Sequence, residues 1–133
     1  MKVKDNNGRE HNFPPTGCRI FADDARPRSQ YHIYCRALLA KIYPLDIILE
    51  EVPIPGYNLF LDFYLPNLHL AIEVNGSQHS EYSSFFYKTK ENFYRSKNND
   101  NRKQVWCKEN GIELIVLQYK EQENWEEQIC KRL

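Results

Sequence analysis

Leu59-Phe60-Leu61-Asp62-Phe63-Tyr64, then Leu65-Pro66-Asn67-Leu68, then His69-Leu70-Ala71-Ile72-Glu73-Val74 is the stretch that decides the fold. Its first and last runs are rich in branched and aromatic residues, and the middle run carries the turn signal, so the pattern predicts two strands joined as a hairpin. Strand alternation puts Leu70, Ile72 and Val74 on one face, and His69, Ala71, Glu73 and Asn75 on the other. Phe60, Asp62 and Tyr64 likewise share a face. A register that pairs those faces points Asp62 and Glu73 the same way.

Working outward, Ile47–Val52 reads as a preceding strand, broken by Pro53-Ile54-Pro55-Gly56. Before it, Ser29 can cap a helix running to about Tyr43, with Tyr31, Cys35, Leu38, Leu39 and Ile42 as its apolar stripe and Pro44 as its stop. After the hairpin, Gly76 breaks the strand. A polar and aromatic stretch leads into basic helical sequence from about Lys88 to Asn110, with Gly111 as its C-cap. Ile112–Leu117 reads as a strand fit for a sheet interior, and Trp125, Ile129 and Leu133 suggest a closing helix. The predicted order is helix, three strands, helix, strand, helix: an α/β fold with a mixed central sheet flanked by helices. Residues 1–28, with Pro14-Pro15, Gly8, Gly17 and Pro27, read as an irregular N-terminal arm, and residues 29–133 as one domain.

The chain has 133 residues, 41% of them hydrophobic, enough for one domain with a real core. No apolar run approaches the roughly 18–20 residues of a membrane span. The N-terminal stretch has no apolar core after its lysines, so the expected compartment is the cytoplasm. Eighteen basic and eighteen acidic side chains cancel, which excludes a polybasic protein and an acidic tail. The cancellation hides a pattern: residues 1–36 carry +3, 37–81 carry −5, 82–110 carry +4 and 111–133 carry −2. An acidic centre with basic flanks suits a metal held beside a polyanion, and ordinary surface alternation is the competing reading.

Asp62 and Glu73 sit inside apolar strands, where a carboxylate is costly unless paired, hydrogen-bonded or bound to metal. Two such groups on one face, with a backbone carbonyl beside them, suit Mg²⁺, which takes oxygen ligands and keeps waters for a phosphate. Two solvent-facing acids on a half-exposed sheet are the alternative.

Leu61-Asp62-Phe63-Tyr64-Leu65-Pro66, followed by Ile72-Glu73-Val74-Asn75-Gly76-Ser77-Gln78-His79, resembles the PD-(D/E)XK nuclease superfamily and its very-short-patch-repair-like branch. Asp100-Asn101-Arg102-Lys103, as a D-x-x-K signature, and Asn110-Gly111-Ile112-Glu113-Leu114-Ile115, as a closing strand, extend the resemblance over about residues 29–118. The resemblance implies a restriction-endonuclease-like core and a DNA endonuclease dependent on Mg²⁺, with Mn²⁺ as substitute. It implies that Asp62 and Glu73 are metal ligands, with the Val74 carbonyl completing the inner shell. Gln78 and His79 would be further site residues. Two departures stand out: Leu61 replaces the motif proline, and Asn75 holds the place of the motif lysine. Lys88, Lys90, Lys103 or His79 could substitute for that lysine.

The first helix has no acid to offer the metal, which leaves His32 as its candidate; Glu50 and Glu51 are helpers of which only one can face Asp62. Lys88, Lys90, Arg95, Lys97, Arg102 and Lys103, interleaved with aromatics, are candidates for nucleic-acid contact, against a solvated helix face. Asp100 with Lys103 could instead be a local structural pair. His11, Cys18, His32 and Cys35 have ligand types that suit a structural Zn²⁺, but their spacing fits no standard pattern, and free thiols are the favoured reading.

The expected function is therefore a metal-dependent DNA endonuclease of a bacterial or phage-infected cell, directed by DNA structure, a mismatch, a protein partner or a homodimer. The alternatives are a nuclease-fold module that binds DNA without cutting it, and an RNA-directed nuclease.

Overall fold

The computed structural model describes residues 1–17, 19–20, 29–75 and 90–131; the side chains of residues 19–20 and 90–97 are not described. Ser29 opens helix α1 (Gln30–Ile42): its hydroxyl accepts from the His32 amide, and Tyr43 closes the helix by donating its amide to Leu39. Strands β4 (Leu49–Pro53), β5 (Phe60–Leu65) and β6 (Leu70–Asn75) follow. A 3-10 turn at Pro66–Leu68 joins β5 to β6, with His69 in the left-handed region at its end. Helix α2 (Lys90–Glu109) leads to β7 (Glu113–Gln118), and after a second 3-10 segment the short helix α3 (Trp125–Cys130) follows. From residue 29 onward this is the predicted succession, in a mixed α/β fold.

Residues 1–28 are where the structure departs from the sequence reading of an irregular arm. Strand β1 (Lys2–Lys4) pairs antiparallel with β2 (Glu10–Asn12), and β3 (Arg19–Ile20) pairs antiparallel with β4. Val3 and Phe13 are both buried, and the Phe13 ring lies edge-on to Tyr64 at 4.8 Å and to Trp106 at 5.2 Å. The hairpin thus belongs to the same core as the residues after 29. A three-residue strand such as Lys2-Val3-Lys4 offers one buried position at most, too few for alternation to register.

The main sheet runs β3-β4-β5-β6-β7, antiparallel up to β6 and parallel between β6 and β7. A parallel neighbour requires a long crossover, and α2 lies on it. Tyr64 and Ala71 are register partners in a cluster with Val3, Phe13, Trp106 and Ile112. Their neighbours Phe63 and Ile72, also partners, face a second cluster built with Cys35, Leu39, Leu117, Trp125 and Ile129. The sheet is therefore buried on both faces, by α2 and the hairpin on one and by α1 and α3 on the other. Glu73 stands on the α2 side, where Lys103 reaches it.

Candidate metal centre

The β5–β6 ladder runs Leu65↔Leu70, Tyr64↔Ala71, Phe63↔Ile72 and stops there, while β6 stays paired with β7 as far as Asn75↔Gln118. At the divergence the two carboxylates take over the hydrogen bonding. The Asp62 amide donates to Glu73 Oε1 at 3.1 Å, and the Val74 amide donates to Asp62 Oδ2 at 2.8 Å. Each acid braces the other's strand. The carboxylate reach also satisfies two backbone donors that a splayed ladder would leave without partners.

Lys103, on α2, places Nζ 3.2 Å from Glu73 Oε2 and is itself mostly covered. Asp100, one turn earlier, joins Glu73, Asn75, Lys103, Gln104 and Val116 around a void of about 10 Å³, room for no more than a single water. The other side is open: a cleft of about 470 Å³ is lined by Glu51, Asn58, Leu59, Phe60, Asp62 and Lys103. Glu73 thus faces inward, and Asp62 and Lys103 face the cleft. Burial pushes the Glu73 carboxyl well above its usual range, and the Asp62 charge adds to this; Lys103 and the two hydrogen bonds pull it back. Burial also pushes the Cys107 thiol up to about 12, with the Glu73 charge adding to the effect.

Glu50 and Glu51 part company as the sequence required. Glu51 lines the Asp62 cleft from a left-handed backbone conformation (φ 51°), a costly state for a side-chain-bearing residue. Glu50, register partner of Phe63, is fully buried and accepts from Arg36 Nε at 2.9 Å. Its Oε1 also lies 3.1 Å from His32 Nε2. His32 stacks on Phe63, with ring centroids 4.6 Å apart. The structure therefore puts His32 in a network with Glu50 on the α1 side of the sheet, whereas Glu73 bonds to Lys103 of α2. Arg36, four residues after His32 on α1, is the third member.

Lys103, read as a nucleic-acid contact and as one of several substitutes for the motif lysine, turns inward to Glu73. Only its approach to Glu73 distinguishes it from the other basic residues, and helix phase against a sheet is not visible in sequence. Asn75 is buried on the wall it shares with Glu73. Arg102 is exposed, with its guanidinium 5.0 Å from the centre of the Tyr57 ring. Gln78, His79 and Lys88 lie outside the described residues; Lys90, Arg95 and Lys97 lie on α2 without described side chains. Of the zinc candidates, Cys18 lies outside the described residues and His11 is engaged by Asp5 at 2.8 Å. Cys35 is buried, and burial with the Asp62 and Glu50 charges pushes its thiol far up. Among the described residues no three His, Cys, Asp or Glu side chains gather as a metal-holding group. At the divergence stand two carboxylates, each accepting a backbone N–H, with Glu73 also accepting from Lys103. Carboxylate oxygen is the donor type that Mg²⁺ takes.

No family model matches the chain. The chain is similar to the uncharacterized protein 033L of Invertebrate iridescent virus 3, 39% identical over 67 residues, covering 50% of this chain and 34% of the relative. It is also similar to the uncharacterized protein 307L of Invertebrate iridescent virus 6, 38% identical over 64 residues, 48% of this chain and 32% of that one. Against the uncharacterized protein 094L of Frog virus 3 it is 38% identical over 68 residues, 50% of this chain and 44% of that one. The chain thus matches about a third to under half of these relatives' length. No solved structure matches it. Among the described residues, no helix is long and apolar enough to cross a membrane.

Proposed function

We propose that this chain is a metal-dependent nuclease with a restriction-endonuclease-like core, hydrolysing phosphodiester bonds in DNA. The observation that carries the reading is the pairing of Asp62 and Glu73 where β5 and β6 diverge, with Asp62 and Lys103 on the wall of an open cleft and Glu73 bonded to Lys103 behind them. Asp62, Glu73 and the Val74 carbonyl would hold Mg²⁺. The bound ion supplies Lewis acidity, acidifying a water and offsetting charge on the scissile phosphate. Lys103 adds a cation on the cleft wall, in the role that Asn75 cannot fill. Glu73, drawn inward, keeps its orientation through the Asp62 amide and Lys103, so the site is set before any ligand arrives.

The test is cleavage of duplex, mismatched, branched and single-stranded DNA, and of RNA, with Mg²⁺ or Mn²⁺. Wild type is expected to cleave, and Asp62→Asn and Glu73→Gln to lose at least about a hundredfold in rate, the scale of a lost electrostatic contribution to catalysis. Activity retained in both variants overturns the reading. The uncharged Asn75 favours one second reading, a module that binds DNA on this fold without cutting it; binding with no cleavage under any condition would support it.

A further inference from the structure

Phe60 stands out among the described phenylalanines. Phe13 and Phe63 are buried at 1% and 0% exposure, whereas Phe60 is 51% exposed at the start of β5. It shares a strand face with Asp62 two residues on, and both line the open cleft together with Lys103. Beside that cleft Arg102 rests on Tyr57, the residue before the Asn58 that lines it. The space holds about 470 Å³, within the range of roughly 300–1,000 Å³ that takes one small organic group and well short of a duplex.

We infer that the cleft receives an unpaired nucleotide, its base stacked on Phe60 and its phosphate directed toward the Asp62 end. This deepens the nuclease reading and rests on it for the identity of the Asp62 end. In a duplex the base faces are already occupied by neighbouring bases, so an aromatic ring can stack only on a base that is single-stranded or drawn out of the helix. Stacking discriminates little between bases, so the recognised class is single-stranded nucleic acid. Arg102, exposed and held in place by Tyr57, supplies a cation for the adjoining phosphate. Asp62 puts a carboxylate at the end of the cleft where the phosphate is directed, so binding requires a divalent cation between the two.

Fluorescence anisotropy of labelled oligothymidylate, oligouridylate and a duplex of the same length, with and without Ca²⁺, tests this. Wild type is expected to bind single strands more tightly than duplex in Ca²⁺. Phe60→Ala should weaken single-strand binding about tenfold, the scale of one lost stack, and leave duplex binding unchanged. Phe60→Trp should keep wild-type affinity, and Phe60→Leu should not, which separates stacking from apolar bulk. The thymidylate and uridylate arms report which sugar is preferred. Tighter duplex binding by wild type, or full affinity in Phe60→Leu, overturns the inference. Cleavage that is indifferent to Phe60 removes this inference and leaves the nuclease reading. Phe60-dependent single-strand binding in a protein that cleaves nothing does the reverse.

Discussion

Glu50 is closed off from solvent yet carries two cationic or polar partners, Arg36 and His32, on the α1 side of the sheet. Removing one partner strands a buried carboxylate, which costs far more than the intact network contributes. Arg36→Ala should therefore lower unfolding stability by about 3 kcal/mol or more in urea denaturation; a loss below about 1 kcal/mol would assign Glu50 adequate support from His32 alone. Glu73 poses the opposite problem, because burial and Asp62 raise its carboxyl above the ordinary 4.5. A raised native value means the folded state holds that proton more tightly than the unfolded chain. The stabilisation is fully present below about 4.5 and is lost as pH rises through the higher native value. Across that window metal-free wild type should lose stability relative to Glu73→Gln, as followed by thermal melts at stepped pH; parallel curves would mean that Lys103 fully compensates the burial. The nearness of Asp62 and Glu73 was legible from the hairpin, since the register that pairs Phe63 with Ile72 brings Asp62 opposite Glu73. The Glu73–Lys103 contact was not, because α2 can meet the sheet at any rotation that buries Trp106.

The β1–β2 hairpin is short, but it is anchored by Phe13 against Tyr64 and Trp106 and by the Trp106 indole donating to the Lys4 carbonyl at 3.0 Å. Gly56 permits the close approach of the hairpin loop: its φ is 79°, and a Cβ there would sit 2.5 Å from Asp5 Cβ. Phe13→Ala should cost about 3–5 kcal/mol of stability, the range for truncating a buried aromatic. A cost within about 0.5 kcal/mol, typical of a surface change, would mean that the hairpin is an appendage after all. Strands β5 to β7 were readable because each brings four or more apolar or aromatic positions, and β4 because Ile47, Ile48 and Leu49 lead into it. Those of the hairpin were not, because Lys2 and Lys4 flank a single buried position, and Glu10 and Asn12 flank a His11 that is only partly covered. Helix α1 was readable for a different reason: the Ser29 hydroxyl, the apolar stripe and Pro44 mark its start, face and end independently.

At the scale of the molecule, a sheet buried on both faces leaves few places for charge, and among the described residues two stand out. On the α1 face, charge is closed into the Glu50 network; on the α2 face, it is left at a strand divergence that opens to solvent through Asp62. That asymmetry is what the proposed function builds on: the closed network is suited to holding the fold, and the open pair to holding a cation. The most direct test is calorimetric titration of Mn²⁺ into wild type, Asp62→Asn and Glu73→Gln at neutral pH. The account predicts saturable binding by wild type that is lost in both variants while their folds, followed by circular dichroism, persist. Equal binding by all three proteins, or none by wild type in the presence of single-stranded oligonucleotide, would contradict a divalent-cation site at Asp62 and Glu73.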